Sequence, residues 1–161
     1  ANNDDSTFTI SDKVYDRAMP IDINIKVEPF KCREQEAVDI NASFLDSLFQ
    51  EAIEKYHISD KGLQQVKELD DYIISHFRIA FGNRIMKQLN VFTAVYVACG
   101  GKEIEAIDYF IAKKILRKFD QLSVSFIRDE LDPFISYLNK NFGKGVMKEC
   151  IDFINNTKKN I

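Results

Sequence analysis

The chain has 161 residues, enough for one domain or a small domain with a piece of another attached, and 45% hydrophobic against 29% charged residues excludes a disordered chain. A formal net charge of −3 excludes a grip on nucleic acid spread over the whole surface, although one basic helix face stays possible. No apolar run reaches the length of a membrane span, and Cys32, Cys99 and Cys150 are too far apart for a zinc or redox motif. Dispersed thiols without a signal core read as a cytoplasmic chain.

The first stretch, Asn2-Asn3-Asp4-Asp5-Ser6-Thr7, is polar and turn-forming. Residues 11–18 read as a brief helix with Ser11 as N-cap, stopped by Pro20. Residues 21–27 then alternate apolar and polar with period two, the clean strand signal of the chain. A strand must pair to satisfy its backbone, so it is expected to be the edge or last strand of a sheet whose other strands lie upstream. Residues 28–39, with Pro29, read as a connector.

Helical spacing governs the rest. Leu45, Leu48, Phe49, Ala52, Ile53 and Tyr56 make one stripe, and Leu63, Val66, Leu69, Ile73, Ile74 and Phe77 make a second, opening after Ser59. A third runs from Asn83 toward Cys99 through Ile85, Leu89, Phe92 and Tyr96, closed by Gly100-Gly101. The fourth covers about 102–119 with Ile104, Ile107, Ile111, Ile115 and Phe119 inward, and Lys113, Lys114, Arg117 and Lys118 as a solvated cationic face. Two more patterns occupy about 125–141 and 146–158; Pro133 implies a kink in the first or a start at Asp132. The expected fold is mainly α, a helical bundle preceded by a short α/β remnant with one orphan strand.

No Gly-rich loop ending in Gly-Lys-Ser or Gly-Lys-Thr is present, nor an apolar strand ending in paired acids to hold magnesium. His57 and His76 stand apart from any partner at metal-ligand spacing and read as surface or helix-boundary residues.

Three ordered elements carry a resemblance. The run from Asn2 through Asp16-Arg17-Ala18 into a strand, Phe81-Gly82-Asn83-Arg84-Ile85 opening a helix, and Ile107-Asp108-Tyr109 leading to Lys114-Ile115-Leu116 together resemble the carboxy-terminal part of McrB-like AAA+ nucleotide hydrolases of the methylcytosine-dependent restriction type. Where that family usually has Pro after the Lys-Ile-Leu element, this chain has Arg117. The resemblance implies that residues 1–28 are the end of an AAA+ core and residues 29–161 a helical lid. It implies catalytic roles for Asn2, with Asn3 as the alternative, and for Arg17. Asn2 would orient the attacking water, since an amide can accept and donate at once without changing charge. Arg17 would reach a neighbouring subunit's nucleotide, and Arg84 would contact nucleotide phosphate as a sensor.

The implied cofactor is ATP or GTP with Mg2+, held in the intact protein and not by this part alone, which is expected to be inactive. The implied partners are the chain's own upstream AAA+ core, a homo-oligomeric ring, expected to be a hexamer, and a separate nuclease subunit, with DNA met indirectly. The alternative on the residues alone is a non-enzymatic helical interaction module, in which Arg17 is a surface residue paired with Asp12 or Asp16.

Overall fold

The computed structural model describes Val14, residues 17–21 and residues 26–159, with the backbone alone at Val124. Among the described residues the chain is a helical bundle and contains no strand. Residues 26–40 run without helix into α1, Ala42–Lys55, whose N-cap Asn41 accepts the Phe44 amide at 2.8 Å. Helix α2, Asp60–Phe77, opens on Ser59, whose hydroxyl accepts from the Gly62 amide, and closes on Arg78 in the left-handed region. Asn and Ser at these places answer amides the helix cannot pair internally. Helix α3, Asn83–Ala98, ends at the glycine pair, and α4 is Glu103–Phe110. After α5, Val124–Ile127, come α6, Leu131–Phe142, and α7, Lys148–Lys159.

The core is the inner faces of α2, α3, α4, α6 and α7. Val66, Leu69, Ile73 and Phe77 are fully buried from α2, and Phe77 stacks on Phe119 at 4.4 Å while tilting against Phe134 at 5.3 Å. The α2 stripe is narrower than its spacing suggests, since Leu63 and Ile74 are exposed. Pro133 sits within the first turn of α6, where a missing amide costs no intrahelical bond, so the helix starts at Leu131 rather than Asp132.

The structure corrects two helix readings. The apolar stripe of α1 is not core: of its described residues only Ala52 is buried, while Leu45, Leu48 and Phe49 are exposed. The fourth helix is not continuous either. It passes from α4 into a π turn at Ile111–Ile115 and then a 3-10 turn at Leu116–Gln121. Widening and tightening the spiral in succession rotates the following side chains relative to an ideal helix, and all of Ile107, Ile111, Ile115 and Phe119 remain buried.

Of the short helix expected at 11–18, Val14 is helical, and the amides of Arg17 and Ala18 both donate to its carbonyl, at 3.0 and 2.9 Å. The other residues of that segment lie outside the described residues, as do residues 22–25 of the expected strand. The described ends of that strand, Ile21, Lys26 and Val27, are in no strand; none of them pairs with a neighbouring segment as an edge strand must.

Candidate functional site

Arg84 is placed by a short chain of contacts. At the end of α2 the left-handed Arg78 turns the backbone away from the helix, and Phe81 buries its ring in the core. Asp70, one face back on α2, accepts the Phe81 amide at 2.8 Å, which pins the connection. Burial raises the Asp70 carboxyl above its ordinary value, the Phe81 amide opposes that, and neighbouring Asp71 adds to it. Gly82 is the N-cap of α3 and offers no side chain to its amides, and Arg84 lies exposed in the first turn. The spacing 84, 87, 88, 91, 95 puts Arg84 on the same helix face as Lys87, Gln88, Val91 and Val95.

That face borders a groove of about 440 Å³ in which Arg17 takes part. Its floor is apolar, with Phe92, Val95 and Phe110, and Met19 packs from the Arg17 side. Arg17, Lys87 and Lys114 are its charged residues, and no carboxylate lines it among the described residues. Of the three sequence-predicted site residues, the structure places Arg17 in a groove lined by this face of α3, while Arg84 stands on the same face one turn before Lys87 and is not part of the groove's lining. Asn2, the third, and Asn3 lie outside the described residues.

The basic cluster is not the solvated face expected from its charge. Lys114 is buried at 3% exposure, because the π turn carries it inward. Lys113 lies 3.7 Å from Glu149 and over the Tyr109 ring, and Arg117 lies 3.7 Å from Asp120 and over Phe153. Their alkyl stems pack in the bundle while the heads find partners, which a charge run alone does not reveal.

Asp108, inside the third motif, has a role that only the fold discloses. It is buried and accepts the amides of Glu149 at 2.8 Å and Cys150 at 2.9 Å, so it caps the first turn of α7 from 41 and 42 residues away. Burial is the largest influence and raises its carboxyl above the ordinary value, against the lowering effect of the Cys150 and Glu149 hydrogen bonds. The Cys150 thiol donates to the Asp108 carbonyl at 3.4 Å, and burial pushes that thiol well up. All three cysteines are free, with Cys32 and Cys99 exposed.

His57 is exposed, while His76, at the last turn of α2, has a carboxylate after all: its Nδ1 lies 2.7 Å from Glu130 Oε2, with Tyr72 stacked on the ring at 4.1 Å. Among the described residues no group of His, Cys, Asp and Glu is arranged to hold a metal ion, and no helix is long and apolar enough to cross a membrane. No protein-family model, curated protein or solved structure matches the chain.

Proposed function

We propose that the chain is the lid-bearing part of an AAA+ nucleoside-triphosphate hydrolase of the McrB-like restriction type, acting in the cytoplasm. In the parent protein, ATP or GTP with Mg2+ is held by an upstream phosphate-binding half, and the subunits form a ring. Arg17 supplies positive charge to the nucleotide of the next subunit, Arg84 senses phosphate, and the bundle closes over the nucleotide. Such a guanidinium is worth about 10³ to 10⁵ in rate where it meets charge spreading over a transferred phosphoryl group.

The observation that carries this reading is the placement of Arg17 beside α3, whose first turn presents Arg84 on the same helix face. An arginine in a groove along α3 and another on the same face of that helix, with an uncapped helix start beside the second, suit a phosphate-bearing ligand. The test is turnover by the parent chain. Arg17→Ala is expected to abolish hydrolysis while leaving nucleotide binding largely intact; unchanged turnover removes the role of Arg17. Hydrolysis by the 161-residue chain alone would equally refute the division of labour.

A second reading, a helical protein-interaction module without catalysis, is favoured by the uncovered apolar stripe of α1.

A further inference from the structure

Two sets of apolar side chains stand uncovered on adjoining stretches of the chain. Leu45, Leu48 and Phe49 of α1 are exposed, and so are Val38 and Ile40 in the connector that runs into it, by 78 and 49%. Single exposed apolar groups are ordinary, but here an uncovered surface lies next to a segment able to cover it. Between α1 and the end of α3 runs a groove of about 460 Å³, lined by Leu48, Phe49 and Ala52 on one side and Val95, Ala98 and Cys99 on the other. Free thiols mark the same two places: Cys99 is exposed and lines the groove, and Cys32 is exposed on the connector.

Both ends of the connector are held beside this groove. Met19 packs on the core and shares the neighbouring groove with Val95, and Asn41 caps the first turn of α1. Fully extended, the stretch from Cys32 to Asn41 spans up to about 30 Å. Helix α1 is about 21 Å long, so Cys32 can reach any point along it without moving either anchor. An extended segment carries alternate residues on one face, so Cys32, Val38 and Ile40 fall on the same side of it. Laid along α1, it brings Cys32 to Cys99 while Val38 and Ile40 cover the apolar stripe. The groove's charged residues, Glu51 and Lys55, have opposite signs, so Glu34 and Glu36 of the segment meet no net repulsion there.

We propose that residues 32–40 are a strap that oxidation closes over α1, with a Cys32–Cys99 disulfide as its latch. The step is thiol–disulfide exchange with a small-molecule disulfide of the glutathione class. One protein thiolate attacks that disulfide, releasing one small thiol and leaving a mixed disulfide, and the second protein thiolate then attacks the protein sulfur and releases the other. The Cys32–Cys99 bond forms as the oxidant's S–S bond breaks, two electrons pass to the oxidant, and the two protein thiol protons end on the two small thiols. Disulfides in reducing compartments are usually transient and redox-sensing, which suits a strap that opens again. The reduced chain presents the α1 stripe and the oxidised chain hides it. Cys150 is buried against Asp108 and takes no part. The strap does not depend on the nucleotide reading.

The test equilibrates the 161-residue chain, at low concentration, in glutathione buffers of stepped oxidised-to-reduced ratio and maps its disulfides by mass spectrometry without reduction. A single intramolecular Cys32–Cys99 link is expected, with an effective thiol concentration at least about tenfold above the millimolar value of an unbiased flexible linker. Val38→Asp and Ile40→Asp should each lower that concentration about tenfold with an unchanged helical circular dichroism spectrum, since neither residue is in the core. Glutathione adducts in place of the link, a link to Cys150, links only between molecules, or a Cys32–Cys99 link indifferent to both aspartate variants would overturn the proposal. Each of those outcomes leaves the Arg17 turnover test untouched, so the two ideas fail separately.

Discussion

Replacing Asp108 probes how α7 is held to the rest of the bundle. The wild-type carboxylate is 4% exposed and accepts two backbone amides, from Glu149 and Cys150. A hydrogen bond to a charged group contributes about 1.5–3 kcal/mol net, and stranding a buried amide has its own cost of a similar size. Relief of the carboxylate's desolvation offsets part of this, so Asp108→Ala should destabilise the chain by roughly 2–4 kcal/mol, a large share of the ~5–15 kcal/mol that holds a domain folded. Asp108→Asn keeps one acceptor and should cost about half as much.

The pH dependence separates the two sources of that change. Burial raises the folded-state pKa of Asp108 above the ordinary carboxyl value, so over the interval from that ordinary value up to the folded one the native state binds more protons than the unfolded chain. This group's contribution is therefore most favourable below that interval and declines as pH rises through it. Urea midpoints measured across the acid range should show wild type losing ground to Asp108→Asn over that window and running parallel above it. Equal stabilities of wild type and Asp108→Ala, within about 0.5 kcal/mol, would refute the capping role, and a flat difference curve would refute the burial argument.

Three further outcomes are expected. Ile73 is fully buried and its neighbour Ile74 is 43% exposed, so Ile73→Ala should cost about 2–5 kcal/mol in urea unfolding and Ile74→Ala under about 1 kcal/mol. Iodoacetamide should label Cys32 and Cys99 quickly in the folded chain and reach Cys150 only on unfolding, since its thiol is buried and its pKa raised; mass spectrometry of timed samples reads this directly. Asp70→Ala removes the acceptor of the Phe81 amide and should destabilise the chain by about 1–3 kcal/mol while speeding hydrogen exchange at Phe81.

The parts of the fold that were legible in the sequence are those set by local chemistry. The helix opening after Ser59 forms there because the Ser59 side chain reaches the amide three residues on, and Val66, Leu69, Ile73 and Phe77 bury because their spacing matches the helical period. What escaped depends on partners distant in the chain. The α1 stripe has the spacing of a core helix, but spacing does not tell whether another element arrives to cover it. The π turn that draws Lys114 inward has no local signature, and the aliphatic and basic residues there read as an ordinary amphipathic helix. The bond from Asp108 to α7 spans more than forty residues, and so does the His76 to Glu130 contact. Of the candidate site, Arg17 and Arg84 were chosen by resemblance, and the fold adds that Arg17 lies in a groove lined by the α3 face on which Arg84 stands, which sequence spacing alone could not supply.

The most direct test of the nucleotide-hydrolase reading is a mixing experiment on the parent chain. One preparation carries Arg17→Ala, and the other has the lysine of its phosphate-binding loop replaced. If Arg17 acts on the neighbouring subunit, each preparation alone is inactive, and mixing restores part of the turnover at interfaces that pair an intact nucleotide site with an intact Arg17. Full activity of the Arg17→Ala protein alone, or no recovery on mixing two preparations that demonstrably co-assemble, would contradict it.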